Sequence, residues 1–267
     1  MDQDMDAQSL GMLEDTLRKT MLSASGPELD AALAELGWAE MLSDMPDLAI
    51  PLVFRLLGET GSYASILNDV MLETIGAQPG GTPPMPYTGG GWVVWERTPS
   101  EDSATLGGLP LKRVPDGELM RMGEARRAVG WWLVGSARAM LNLARQHALD
   151  RVQFGRPIAG FQAVRHRLAE TLVAIEGAEA TLGLPGTESA DLTAMLAKAA
   201  AGKAAQTAAR HCQQVLAGVG FTAEHDLHVH IKRAMVLDGL LGSSKELTRK
   251  AGAGLRARGS VPRLAYL

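Results

Sequence analysis

The chain has 267 residues, 46% of them hydrophobic and 21% charged, a balance that supports a packed core and excludes wholesale disorder and collagen-like repeats. With 26 Lys and Arg against 30 Asp and Glu, the net charge is -4, so there is no overall basic excess to neutralise phosphates and nucleic acid is not an expected partner. Cys212 is the only cysteine and Met1 to Asp6 is acidic; with no apolar run of about 18 residues, the expectation is a cytoplasmic chain without disulfide, Cys-rich zinc site, export signal or membrane span.

The chain divides by composition into three parts. In residues 1–77 Leu13, Leu17 and Met21 recur every four residues, and Gly26-Pro27-Glu28 opens a second run in which Leu29, Leu33 and Leu36 share a face, predicting a helical region from about Ser9 to Ala77. Residues 78–117 are rich in Gly and Pro around one clear strand candidate, Trp92 to Arg97. At ~5 to 6 residues per strand plus turns, such a stretch holds about four strands at most. Residues 118–267 read as long helices. The first runs to about Asp150, with Gly155 and Pro157 as stop signals; the second starts near Phe161 and turns Val164, Leu168, Leu172 and Ile175 inward, with Arg165, Arg167, Glu176 and Glu179 outward. Leu184 to Glu188 breaks it. An alanine-rich helix follows to about Leu216, its Ala199, Ala200, Ala204 and Ala208 allowing close helix approach, and after Gly218 to Gly220 a final helix begins near Asp226. The fold class is therefore mainly α: an N-terminal helical region, a truncated β segment and a C-terminal four-helix bundle with a basic tail. Charge is uneven as well. Residues 1–80 hold 14 acidic and 3 basic side chains, residues 227–267 hold 2 acidic and 8 basic, so either the two ends face different partners or the acidic face is simply solvated.

Two ordered stretches carry a more specific signal. Arg151-Val-Gln-Phe-Gly-Arg-Pro-Ile158, followed by Phe161 to Ala169, and Gln214-Val-Leu-Ala-Gly-Val-Gly-Phe-Thr-Ala-Glu224 together resemble the signature of acyl-CoA dehydrogenases. The resemblance covers about residues 118–250, and the N-terminal helices, including Glu35 to Ala39, look like a shortened form of that family's N-terminal domain. It implies a flavoprotein that oxidises an acyl-CoA thioester to the 2-enoyl-CoA, a glutamate taking the α-proton while the β-hydrogen leaves as hydride to FAD. Carried over from the family, Arg151, Gln153, Phe154, Gln214 and Gly218 contact the diphosphate and adenosine half of an FAD seated in a neighbouring subunit. A guanidinium suits a diphosphate bidentately, and a glycine lets backbone N–H groups come close to oxygen atoms. Taken singly, Arg151 could instead cap helix carbonyls and Gly218 could simply turn the chain.

The departures from the family pattern are equally informative. The glutamate position usually precedes a Gly-Ser or Gly-Thr pair near the end of the bundle, and here that position is Leu241. An alternative family position lies on the helix ahead of the first motif, where Glu124 falls about one residue out of register, ~100° of helix rotation. Asp238 and Glu246 read as surface groups. The 40 residues of the β segment cannot supply the family's flavin-covering barrel. What is missing serves a subunit's own flavin, and what is retained reaches a neighbour's, which resembles the shorter chain of heteromeric, two-gene acyl-CoA dehydrogenases of bacterial steroid catabolism. The implied partner is a longer subunit in an α2β2 heterotetramer that carries the flavin site and the base and binds most of the acyl-CoA. Two other readings remain open: a self-sufficient homo-oligomer using Glu124, and a structural helical partner without flavin. His225, His228 and His230 with Glu224 and Asp226 invite a metal reading, but no further ligand set is evident. Trp131, Trp132, Met120 and Met122 are most simply core or subunit contacts.

Overall fold

In the computed structural model, residues 7–99, 105–118, 120–184 and 190–262 are described. The leucine spacings of the first region become α1 (Ala7–Ser23), α2 (Pro27–Glu35), α3 (Trp38–Asp44), α4 (Pro46–Thr60) and α5 (Leu67–Glu73). Pro27 and Pro46 stand in the first turns of α2 and α4, where the missing N–H costs no helical bond. Leu17, Met21, Leu29 and Leu33 are all buried.

The long α6 (Gly123–Asp150) ties this region to the rest, and two glycines decide how closely. A Cβ on Gly58 of α4 would strike the backbone of Trp132 and Ser136, and one on Gly135 of α6 would strike the carbonyl of Arg55. The helices therefore cross backbone to backbone. A run of aromatic contacts lies beside the crossing: Trp38 to Phe54 at 6.1 Å, Phe54 to Trp132 at 5.8 Å and Trp132 to Trp95 at 5.6 Å between ring centroids. Offset and edge-on aromatic pairs add to plain area burial, and this run joins the N-terminal helices, the bundle and the β segment into one core.

The β segment is a three-stranded antiparallel sheet, β1 (Met85–Tyr87), β2 (Gly91–Trp95) and β3 (Leu111–Val114), in the order β1-β2-β3, with Met85 opposite Val93 and Trp95 opposite Leu111. Val93 and Trp95 alternate inward, as one buried sheet face requires.

After α6 come a two-residue-per-strand hairpin, β4 (Val152–Gln153) and β5 (Arg156–Pro157), then α7 (Gln162–Leu182), α8 (Ala190–Leu216), α9 (Leu227–Gly239) and α10 (Ser244–Arg258). The expected break at Leu184 to Glu188 mostly lies outside the described residues. Two expectations need correction. Leu172 does not face inward: its side is 42% exposed, while Val164, Leu168, Thr171, Ile175, Ala178 and Leu182 form the packed stripe. Thr171 can take the inward place because its hydroxyl donates to the Arg167 carbonyl at 2.8 Å and meets His211 Nδ1 at 3.0 Å. The final helix is also two helices. Leu241 and Gly242 turn left-handed at φ 56° and 97°, and Ser243 then opens α10 with a capping box, its hydroxyl on the Glu246 N–H and the Glu246 carboxylate on the Ser243 N–H.

Candidate functional site

Because α6, α7, α8 and α9 succeed one another antiparallel around the bundle, the C-terminal ends of α6 and α8 meet at one end, with the start of α9 beside them. His147 near the end of α6 is held below its ordinary pKa first by burial and then by His225 and Arg151, which places the approach to α9 beside the α6 terminus. Both motifs lie at this end. The Arg151 backbone extends the end of α6, its N–H donating to the His147 carbonyl at 2.9 Å and its carbonyl accepting from Ile158 at 2.8 Å. Among the described residues its exposed guanidinium makes no ion pair and caps no carbonyl of α6.

Gln153 pairs with Arg156, and the two residues between them, Phe154 and Gly155, have φ 53° and 79°. A two-residue hairpin with both central residues at positive φ is normally built on Asn-Gly, and a phenyl-bearing residue there is strained. The ring is 92% exposed, touching Phe161 edge-on at 6.1 Å, while the Arg156 guanidinium lies over the Phe161 face at 4.4 Å. Gln214 is exposed on the last turn of α8. Gly218 lies in the short turn of 3-10 helix at Ala217–Phe221, but it does not turn the chain: the positive φ, 52°, belongs to Ala217. A Cβ at Gly218 would meet open space, so nothing inside this chain requires a glycine there. The structure thus gathers Arg151, Gln153, Phe154, Gln214 and Gly218 at one exposed end, with the apolar side chains of Val152, Val219 and Phe221 exposed nearby.

Leu241 stands at the opposite end, with the N-terminal ends of α6 and α8. It is 1% exposed; its N–H donates to the Pro86 carbonyl at 2.7 Å and its carbonyl accepts from Arg126 Nε at 3.3 Å. The neighbouring Leu240 bridges to Tyr87, so the reduced sheet is fastened to this turn. Beneath it lies Lys198, fully buried, its Nζ donating to the carbonyls of Asp238 at 2.9 Å and Gly242 at 2.7 Å. Burial pushes this lysine down to about 7, with Asp238 opposing and Arg126 adding to the shift. Asp238 is not a surface group as expected: it is 9% exposed and accepts from Gln206 Nε2 and from the Ser244 N–H, both at 3.1 Å. Glu246, only partly covered, does stand near the surface, where it caps α10 and accepts from the Gly89 N–H at 2.9 Å. Its partial burial works upward, but the N–H groups of Gly89 and Ser243 and the hydroxyls of Ser243 and Thr88 hold it at about 2.

Glu124 lies on the first turn of α6, 45% exposed, with Arg127 Nη1 at 3.2 Å. His225 and His228 do not form a helix face, since His225 precedes α9 and its Nδ1 accepts the Leu227 N–H at 3.1 Å, while His228 Nδ1 meets the His225 carbonyl at 2.9 Å. Arg126 and Lys198 were not singled out from the sequence. For Lys198 a signal existed: Ala194, Lys198, Ala201, Ala205 and Ala208 step by four and three residues along one buried stripe, an inward register that a lysine enters only with partners. Backbone strain is concentrated as well. Among the described residues, the non-glycine positions at positive φ are Phe154, Ala217 and Leu241, one in each of the three stretches at issue; such strain clusters where function requires it.

Residues 119–254, just over half of the chain, match the family described as acyl-CoA dehydrogenase, C-terminal domain. Acyl-CoA dehydrogenase FadE34 of Mycobacterium tuberculosis is 33% identical over 212 residues, 70% of this chain and 30% of its own length. Acyl-CoA dehydrogenase IpdE2 of the same organism is 39% identical over 117 residues, 44% of this chain and 37% of its own. The chain thus spans about a third of the length of these curated relatives. Among solved structures, the Tcur3481-Tcur3483 steroid ACAD G363A variant superposes with a TM-score of 0.73 at 18% identity, covering 94% of this chain and 98% of that one. The ChsE4-ChsE5 complex from Mycobacterium tuberculosis superposes with a TM-score of 0.67 at 20% identity, covering 98% and 100%. At these identities the likeness to the solved structures is one of fold.

Proposed function

Since the chain belongs to the acyl-CoA dehydrogenase family, an FAD-dependent oxidoreductase family, we propose that it is the FAD-contacting, non-catalytic subunit of a heteromeric enzyme that dehydrogenates an acyl-CoA, with a steroid-derived thioester as the acyl class. The observation that carries this reading is the contrast between the two ends of the bundle. The base position holds a leucine that is buried and tied by both backbone groups; leucine has no proton-accepting atom. The other end offers a guanidinium, an amide, an aromatic face and an unobstructed glycine backbone, all exposed and none needed by this chain's own packing. The names of two similar structures, Tcur3481-Tcur3483 and ChsE4-ChsE5, are those of two-component assemblies, which supports a partner subunit; that this partner is the longer chain of an α2β2 heterotetramer is part of the proposal. The division into 1–77, 78–117 and 118–267 belongs to the same proposal.

The residues at the hairpin end fit one half of the cofactor and not the whole. Arg151 and Gln214 supply donors for phosphate oxygens, Gly218 admits an oxygen close to the backbone, and Phe154 presents an apolar face. The three-stranded sheet has too little surface to enclose a flavin ring. When bound, FAD accepts the β-hydrogen as hydride; the part of this chain is to hold the diphosphate and adenosine half in place and keep water from it, while the partner supplies the base. Glu124 is the alternative base, but its carboxylate is engaged by Arg127 and the base role does not need it.

The test is the complex co-expressed with its longer subunit. Arg151→Ala or Gln214→Ala lowers its FAD occupancy, because truncation leaves part of a diphosphate charge without its partner. Charge-assisted contacts contribute ~1.5 to 3 kcal/mol, at the upper end on the order of a hundredfold in affinity. Excess FAD restores most of the activity. Unaltered FAD affinity in a correctly assembled double variant would refute the role of both motifs.

A further inference from the structure

The outward face of α10 carries a stripe of charge that nothing in this chain uses. Leu247 and Ala251 hold the inner side of the helix in the core, against α8, while Lys245, Arg249, Gly252 and Arg256 are exposed. At 3.6 residues per turn these four fall within about 60° of one another around the helix axis. Lys245, Arg249 and Arg256 enter no ion pair with the described residues, and Glu246, the acid of this helix, is turned to its cap. Gly252 interrupts the stripe. An added Cβ there would meet nothing within 4 Å, so the packing of this chain does not call for glycine, the poorest helix former after proline. What a glycine does offer on an exposed helix face is close approach of a second backbone.

α2 carries the same stripe with the opposite sign. Leu29 and Leu33 are buried, and Glu28, Ala31 and Glu35 are exposed on the other side. Glu28, Ala31 and Glu35 are spaced by three and four residues, as are Arg249, Gly252 and Arg256. In both helices two like charges therefore stand seven residues apart, about 10.5 Å of helical rise, with a small residue between them. Glu28 and Glu35 also enter no ion pair with the described residues. On α3, which follows directly, Glu40 and Asp44 are exposed and enlarge the acidic surface.

We propose that α10 of one copy docks on α2 of a second copy of this chain, with Arg249 and Arg256 against Glu28 and Glu35 and Gly252 over Ala31. A two-fold axis makes the contact twice, since each residue that meets its counterpart is met by it in return. Opposite charge at matched spacing sets the register of such a pairing and speeds encounter. Exposed ion pairs are individually weak and are screened by salt, so the association is concentration-dependent and weakens as ionic strength rises. It goes beyond the heteromeric reading and does not need it.

The experiment is sedimentation velocity of the full chain by itself. The wild type forms dimers at about 100 μM protein in about 50 mM salt, and its dissociation constant rises at least about tenfold in about 500 mM salt. Arg249→Glu with Arg256→Glu, and separately Glu28→Arg with Glu35→Arg, each weaken self-association at least about tenfold. Mixed in equal amounts, the two double variants dimerise again, because both contacts are then present with their signs exchanged. Gly252→Met favours the helix itself but holds the backbones apart, and it weakens the dimer as well; should a charge reversal not fold by circular dichroism, this variant and the other reversal decide. A wild type that stays monomeric in low salt, a dimer indifferent to either reversal, or a mixture that does not recover overturns the proposal. A monomeric wild type whose retention on heparin is lost with Arg249→Glu and Arg256→Glu would assign the stripe to a polyanion and overturn it too.

Discussion

Lys198 is the residue whose surroundings most directly govern how the chain responds to pH. The unfolded chain keeps this proton up to the ordinary lysine value of 10.5, whereas burial makes the folded chain release it near 7. Between those values the unfolded state binds more protons, so stability rises with pH, by at most ~1.4 kcal/mol per pH unit. Cys212 acts in the opposite sense only at higher pH: burial lifts its thiol from 9.0 to about 12, so its contribution is lost as the unfolded thiol ionises. Urea unfolding between pH 7 and about 8.5 isolates the lysine, and the midpoint climbs with pH. In Lys198→Met the climb disappears. A flat wild-type profile would mean that the ammonium keeps its proton between the two carbonyls. On the acid side His230, buried and pushed to about 4 with Arg233 adding to the shift, resists protonation, and stability falls as pH drops from 6.5 towards 4 by the same linkage.

Helix against helix, the decisive contact is the crossing of α4 and α6. A methyl group at Gly135 lands on the Arg55 carbonyl, and neither backbone can yield without moving the aromatic contacts beside it. Gly135→Ala therefore destabilises the chain by about 1 to 3 kcal/mol, the range of overpacked cores. Gly177 on α7 has nothing within 4 Å of an added Cβ, so Gly177→Ala raises stability by up to ~1 kcal/mol. Chemical denaturation of the pair checks both signs, and equal effects would contradict the close crossing. The helices themselves were legible in the sequence because their apolar spacing and their glycine and proline stops are local signals: α6 ends at Asp150 and α8 at Leu216, where the stops stand. What was not legible depends on partners far along the chain. Thr171 takes the core position beside Leu172 with its hydroxyl engaged by the local Arg167 carbonyl and by His211, 40 residues on. Asp238 looks like a surface acid until Gln206 and Lys198, from a separate helix, close over it. The motif residues Arg151, Phe154, Gln214 and Gly218 could be named from the sequence, while the strain at Phe154 and Ala217 is a backbone property that no residue spacing records.

At the level of the whole molecule, the hairpin end presents its motif residues outward, while at the opposite end Leu241 is buried and held by both of its backbone groups. The chain purified alone is therefore expected to bind FAD weakly and to show no acyl-CoA dehydrogenase activity, read from the visible absorption of the purified protein and from turnover with an artificial electron acceptor. A yellow preparation with one tightly held FAD per chain would sink the division of labour proposed above. The fastening of the Leu240–Leu241 turn also bears on how such a division persists over generations of mutation. Its carbonyl is engaged by Arg126, its N–H by Pro86 and the carbonyls on either side of it by Lys198, so a change at any one of these residues is felt by the others. A glutamate at 241 would place a carboxylate where a buried leucine is now held by both of its backbone groups. On the division of labour proposed above, epistasis of this kind works as a ratchet: each contact around the turn lengthens the mutational path to an independent chain, and selection acts on the pair of chains as one inherited unit.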